Sequence, residues 1–396
     1  MLKHNIYLLG FMGSGKSHIG KILSEVLDVP LIDLDAFIES EEGCTITDIF
    51  EQKGEAYFRQ VETVCLRQLE SARAVIALGG GTPCFSGNMP WINQTGCSFF
   101  LDPPIDVLVE RLIGEQDKRP LLKGKDSVAL RLFIEQKLEE RRNFYEQAIH
   151  TIKENYSARI VFEIQRKMNQ KLLLLHGALG SAEQLSPLKQ ALEPYFEVHT
   201  LNFEGHGGRA TEAANFSIDC FTENVLEYLN KNKIAQIDIL GYSMGGYVAL
   251  NLALKHPSKV FRIFTLATKF AWSAESASKE VKMLDPVVIE KKVPAFAETL
   301  KERHAPLDWK VHLSKTAAMM LALGNGAKLS TEDFQKIQHR VLLTVGSKDR
   351  MVSEEETRAV ANTLPNGTFK LLEGVKHPIE QVDVKTFSQK VVSFFD

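Results

Sequence analysis

A chain of 396 residues is too long for one ordinary hydrophobic core and predicts two or more domains. With 44% hydrophobic residues, 24% charged residues and a net charge of −3, it has the composition of a globular protein, and nothing in it points to a nucleic-acid-binding stripe or a polybasic membrane segment. The five cysteines, Cys44, Cys65, Cys84, Cys97 and Cys220, are odd in number and form no C-x-x-C pair, which argues against a disulfide frame or a zinc site and for reduced thiols in a cytoplasmic setting.

The first apolar run, IYLLGFMG, is too short to span a bilayer and lacks a small-residue cleavage site, so neither a membrane helix nor a signal peptide is expected. Instead the strand NIYLLG runs into GFMGSGKS, which fits G-x-x-x-x-G-K-[ST] at Gly10, Gly15, Lys16 and Ser17. Glycines let the amides of Gly13, Ser14, Gly15, Lys16, Ser17 and His18 turn toward phosphate oxygens at a helix N-terminus. Lys16 is expected to reach the outer phosphates and Ser17 to ligate Mg²⁺, so ATP is the implied nucleotide.

The loop implies a phosphoryl donor; the acceptor must be read from the residues beyond it. PLIDLD predicts a strand whose carboxyl end carries Asp33 and Asp35 on one face. One carboxylate suits Mg²⁺; the other suits an attacking hydroxyl. Taken alone, the pair fits two solvated loop carboxylates equally well. Arg59 and Arg141, in predicted helices, are unremarkable by themselves. AVIALGGG ends a strand on Gly79, Gly80 and Gly81, where a ligand can approach the backbone closely. DKRPLL places Arg119 in a polar segment suited to a closing lid. CSFFLD and HTIKEN are further strands, SVALRLFIEQKLEERRNFYEQAI is a long helix, and SARIVFEIQRKMN is a helix capped by Ser157.

In combination and in order, the GSGKS loop, DLD, Arg59, GGG, RPLL and the Arg141–Tyr145 segment resemble shikimate kinase. The resemblance implies a P-loop kinase fold over residues 1–169, with Asp35, Arg59, Gly80, Gly81 and Arg141 binding shikimate. It implies catalytic roles for Lys16, Asp35 and Arg119, ATP contacts from Arg119 and Arg159, and Mg²⁺ held by Ser17 and Asp33. Related P-loop kinases, such as gluconate or nucleoside monophosphate kinases, do not usually combine the Asp pair, Arg59 and the triple glycine.

Residues 170–396 renew the strand–helix alternation: KLLLLHG, FEVHTLNF, QIDILGYS, VFRIFTLA, RVLLTVGS and TFKLLEG. Both halves therefore predict α/β architecture with parallel sheets flanked by helices. GYSMGG fits G-x-S-x-G, a strand–turn–helix elbow that exposes Ser243. Asp349 and His377 lie after later strands, in the order an orienting acid and a base require. HGALG supplies an oxyanion loop, in which the Ala178 amide pairs with that of Met244. His176 and His206 are expected to be structural, and a helical cap is expected over about 270–335. These motifs resemble an α/β-hydrolase of the esterase or thioesterase type lacking the family's usual first strands. The resemblance implies a serine hydrolase of unspecified acyl substrate; small molecules, not nucleic acid or membrane, are the implied partners. Oligomeric state is open, with a monomer compatible. The rival reading makes the hydrolase the main activity and the kinase-like domain a nucleotide-binding regulator.

Overall fold

The computed structural model describes residues 4–115, 122–211 and 214–395. It divides into two compact units, Met1–Asn169 and Gln170–Asp396. The first unit holds five parallel strands: β1 (Asn5–Leu9), β2 (Leu31–Asp33), β3 (Val75–Ala77), β4 (Gly96–Leu101) and β5 (His150–Ile152), in the order β2-β3-β1-β4-β5. Strand alternation feeds two cores, one on each face. Tyr7, Leu9, Ile76 and Phe100 pack on one side; Ile6, Leu8, Val75 and Phe99 pack on the other. The chain leaves β1 in one direction and returns past it to β4. The carboxyl end of β1 is therefore where a crevice opens, and the phosphate loop comes directly after it.

The second unit is a six-stranded parallel sheet: β6 (Lys171–Leu175), β7 (Glu197–Thr200), β8 (Ile237–Tyr242), β9 (Val260–Leu266), β10 (Arg340–Gly346) and β11 (Gly367–Leu372), ordered β11-β10-β9-β8-β6-β7. The sheet begins with KLLLL, and only β7 lies beyond it at that edge. Leu173, Leu175, Ile239 and Ile263 serve one core, while Leu172, Leu174, Leu240 and Phe264 serve the other. The Met244–Lys255 helix is buried from Met244 to Ala253, as its mostly apolar sequence requires, and the polar Asn251 side chain in that stretch donates to Asp219 Oδ1 and Thr222 Oγ1 at 2.9 and 2.8 Å. Arg262 on β9 pairs bidentately with Asp238 on β8, at 3.0 and 2.9 Å, so this buried charge is matched. Between β9 and β10 lie five helices: Ala274–Val281, Pro286–Lys292, Pro294–His304, Trp309–Gly324 and Thr331–Lys336.

One local expectation fails. Tyr156, not Ser157, is the N-cap of the Ser157–Met168 helix. The Ser157 hydroxyl is instead 3.1 Å from His18 Nε2, so a tertiary partner replaces the local cap. All five cysteines are unpaired thiols. Among the described residues, no helix is long and apolar enough to cross a membrane.

Candidate active sites

The first site is a cavity of about 580 Å³ at the carboxyl end of β1, lined by the 12–19 loop, Asp33, Asp35, Gly79, Gly80 and Arg111. Gly15 adopts φ 97°, a left-handed turn that sends the chain from the loop into the Lys16–Leu27 helix. Lys16 Nζ donates to the Gly10 and Phe11 carbonyls at 2.9 and 3.0 Å, folding back over its own loop. Ser14 Oγ is buried without a partner among the described residues, a polar atom suited to an oxygen-rich ligand. Ser17 Oγ donates to Asp33 Oδ2 at 2.7 Å. A hydroxyl and a carboxylate at the mouth of a phosphate loop suit Mg²⁺, which takes few protein ligands and keeps waters and phosphate oxygens. Among the described residues no cluster of three or more His, Cys, Asp or Glu forms a denser metal cage.

The three consecutive glycines each make room for a different side chain. A Cβ on Gly79 would stand 2.7 Å from Asp35 Oδ1. One on Gly80 would stand 3.3 Å from the Arg141 guanidinium, and one on Gly81 would stand 2.8 Å from both terminal nitrogens of Arg59. Asp35, Arg141 and Arg59 thus converge on one backbone stretch from three separate helices. Arg141 donates to the Gly80 carbonyl at 3.1 Å, and the Tyr145 hydroxyl donates to the same oxygen at 2.5 Å. Burial, reinforced by the neighbouring Asp33 charge, pushes the Asp35 carboxyl up to about 6.

Two further side chains shape this site without having stood out in the sequence. Glu62, 1% exposed, accepts from Arg59 at 2.9 Å and from Thr82 Oγ1 at 2.6 Å, and so fixes the guanidinium beside Gly81. Its i,i+3 spacing from Arg59 is the one local clue to it. Arg111 donates to the Gly13 carbonyl at 3.1 Å and the Asn155 carbonyl at 3.1 Å, bracing the loop; nothing local marks it. Arg159 is exposed and outside the cavity wall, to which its helix contributes Ser157 and Ile160. Arg119 lies outside the described residues.

The second site forms around Ser243. This residue has φ 50° and ψ −118°, a strained conformation at the turn from β8 into the Met244–Lys255 helix. The turn is tight enough that a Cβ on Gly241 would stand 2.4 Å from the Gly246 backbone. Ser243 is held from both sides: its amide donates to the Leu266 carbonyl at 2.8 Å, and Thr268 Oγ1 donates to its carbonyl at 3.0 Å. His377 Nδ1 is 2.8 Å from Asp349 Oδ2. Burial pushes the Asp349 carboxyl up, but the bond to His377 and the amides of Met351 and Val352 outweigh it and hold it below the usual range. Ser243, His377, Ala178 and Met244 line one cavity of about 60 Å³. Among the described residues the Ser243 hydroxyl makes no hydrogen bond; contacts of this kind often tighten only when substrate binds. Asp383, the next acidic residue after Glu380, caps the helix that follows it, accepting from the Thr386 amide at 2.8 Å.

Behind the oxyanion loop sit four buried histidines. His176 Nε2 accepts from the Phe203 amide at 3.3 Å, leaving Nδ1–H to donate to the Gly177 carbonyl at 2.8 Å. His304 Nδ1 accepts from the Gly207 amide at 3.2 Å, leaving Nε2–H to donate to the Leu179 carbonyl at 3.2 Å. His206 and His312 pack edge to face, with ring centroids 4.3 Å apart. Burial lowers all four: His176 and His304 to about 4, His312 to about 3, and His206 well below the ordinary value. The expected structural roles of His176 and His206 fit these contacts; His304 and His312 join them from helices some hundred residues later.

The shikimate kinase family model matches residues 12–169, and the model for serine aminopeptidase, S33, matches residues 166–381, more than half of the chain. A shikimate kinase from Bacteroides fragilis is 40% identical over 173 residues, covering 43% of this chain and 97% of that protein. The crystal structure of shikimate kinase from Bacteroides thetaiotaomicron is 37% identical, with a TM-score of 0.39 over 41% of this chain and 96% of that one. A hydrolase structure from Pseudomonas aeruginosa is 18% identical, with a TM-score of 0.47 over 57% of this chain and 90% of that one. The chain belongs to the shikimate kinase family through its first unit and to the serine aminopeptidase S33 family, of α/β-hydrolase type, through its second.

Proposed function

We propose that the first unit transfers the γ-phosphoryl group of ATP to the 3-hydroxyl of shikimate. The observation that carries this is the glycine triplet, against which Asp35, Arg141 and Arg59 each pack. Two guanidiniums suit a carboxylate, which each can grip with paired N–H donors. Asp35 holds ring hydroxyls and takes the proton of the 3-hydroxyl as its oxygen attacks the γ-phosphorus. The bond from that phosphorus to the β–γ bridging oxygen breaks, giving shikimate 3-phosphate and ADP. The loop amides and Lys16 hold the phosphates, and Arg119 is assigned to the charge on the transferring group. Ser17 and Asp33 would hold Mg²⁺, which when bound neutralises phosphate charge. Incubating the full chain with ATP and shikimate tests the reading. Coupled ADP release is expected; release with gluconate or a nucleoside monophosphate, and none with shikimate, would overturn it.

For the second unit we propose a serine hydrolase acting on an ester or thioester, carried by the His377–Asp349 bond in the cavity that Ser243 lines. Ser243 Oγ attacks the acyl carbon and passes its proton to His377 Nε2. The amides of Ala178 and Met244 receive the oxyanion, and His377 returns the proton to the departing alcohol or thiol. Water, activated by the same imidazole, then releases the acid and restores the serine. A fluorophosphonate probe is expected to label the wild type and not Ser243→Ala; no labelling of either would make the unit a binding module.

A further inference from the structure

The acyl group is still to be specified, and two side chains in the cavity wall bear on it. Most of the wall is apolar, formed by residues such as Ile218, Tyr247, Trp272, Met319 and Leu323. Lys269, in the loop after β9, and Glu280, on the Ala274–Val281 helix, interrupt it. Lys269 Nζ lies 3.4 Å from Glu280 Oε1, and the two side chains are only 18% and 12% exposed. That separation is longer than the roughly 2.7–2.9 Å of a charge-assisted hydrogen bond. Among the described residues the ammonium makes one hydrogen bond, to the Met351 carbonyl at 3.2 Å, and lies 5.6 Å from the centre of the Trp272 ring, while the Glu280 carboxylate accepts none. An ammonium carries three donors and a carboxylate about four acceptor positions. Both groups therefore keep unused capacity in the wall of the cavity that Ser243 and His377 share. Burying charges is costly unless their hydrogen bonds are completed, so the pair is poorly explained as a stabilising device.

The pair also limits what can complete it. A cavity of about 60 Å³, at roughly 10–15 Å³ for each water-sized group, holds only a handful of them, which favours a short chain. A carboxylate would meet repulsion from Glu280 along with attraction to Lys269. An all-carbon chain would leave the spare donors and acceptors of the pair unused. A hydroxyl accepts from one and donates to the other. We propose that Lys269 and Glu280 determine the specificity of the Ser243 site, selecting esters of short, hydroxylated acyl groups. The proposal rests on the hydrolase reading.

The test compares 4-nitrophenyl esters of butyrate, 3-hydroxybutyrate and succinate (the last a free carboxylate) on the full chain. The wild type is expected to favour the hydroxybutyrate over the butyrate about tenfold or more in kcat/KM, because a site built to bond a hydroxyl discriminates against its absence. Lys269→Met/Glu280→Met, folded by near-ultraviolet circular dichroism, should lose that preference. Glu280→Gln leaves the ammonium charge uncancelled and should raise the succinate ester relative to butyrate about tenfold. A wild type that prefers butyrate or succinate overturns the proposal, whatever the variants do, as does a preference unchanged in the double variant. If no ester turns over and Ser243 resists the fluorophosphonate probe, the hydrolase reading itself has failed.

Discussion

The two units build their sites by opposite backbone means. In the first, three glycines withhold side chains, and Asp35, Arg141 and Arg59 move into the space, beside a cavity of about 580 Å³. In the second, the backbone itself is strained: Ser243 is held at φ 50° between β8 and its helix, beside a cavity of about 60 Å³. Space suits a polar substrate gripped by several charged groups. Strain suits a single nucleophile that must project from a turn. The comparison predicts that the first site fails through ligand geometry and the second through local folding.

The largest expected effects test whether the sites are separate. Ser243→Ala should lower ester hydrolysis by roughly 10⁴–10⁶-fold and leave shikimate phosphorylation intact. Lys16→Ala should abolish phosphoryl transfer and spare hydrolysis. Assays of both activities on each purified variant decide the point; loss of both in a folded variant would break the separation.

Glycine substitutions sharpen the contrast between space and strain. Gly79→Ala puts a Cβ 2.7 Å from Asp35 Oδ1 and should lower kcat/KM for shikimate by about 10²-fold with little change in unfolding temperature. Gly241→Ala sets a Cβ against rigid backbone at 2.4 Å and should destabilise its unit by about 1–3 kcal/mol or more, seen by denaturant titration. If Gly79→Ala unfolds its unit while Gly241→Ala only slows hydrolysis, the contrast is wrong.

Acid should also separate the units. The four buried histidines behind the oxyanion loop of the second unit, His176, His206, His304 and His312, have folded-state pKa values below the ordinary 6.5. Above that value both states are neutral there and stability is complete. Below it the unfolded chain binds protons that the folded one refuses, so stability falls as pH drops from about 6.5 toward 4. Each such histidine adds a slope of about 1.4 kcal/mol per pH unit at most. Urea titrations at pH 7 and pH 5 should show the hydrolase unit losing stability, and the loss should shrink in His312→Phe if that variant folds.

The smallest effect expected is for Glu62→Gln. It retains a hydrogen-bond acceptor but loosens Arg59, and should raise KM for shikimate roughly three- to tenfold with kcat little changed.

The features legible in the sequence are those that a local rule dictates. The GSGKS turn and the GYSMGG elbow each impose a backbone shape within a few residues, and the structure has both. The parallel sheets come from apolar runs that feed two cores. Contacts across long sequence separations are not legible. Lys269 meets the Met351 carbonyl across about eighty residues, and His304 meets Leu179 across more than a hundred. Ser157 looks like a cap in the sequence because its partner, His18, is distant along the chain and outcompetes the local bond. Arg59 and Arg141 look like surface charges until the family resemblance singles them out, since neither has a local signature; only their shared approach to the glycines distinguishes them.

The glycine triplet also bears on how this protein can vary. Codons 79 and 81 should tolerate almost no change, for unrelated reasons: one would crowd a carboxylate and the other a guanidinium. Codon 80, whose Cβ would meet the end of the Arg141 side chain at 3.3 Å, asks that side chain to give by only a few tenths of an ångström and should admit alanine more readily. A saturation library selected for growth that depends on the kinase should show a narrow trough with a shallow centre. Part of the recognition of this substrate would then be inherited through positions that contribute no side chain to it.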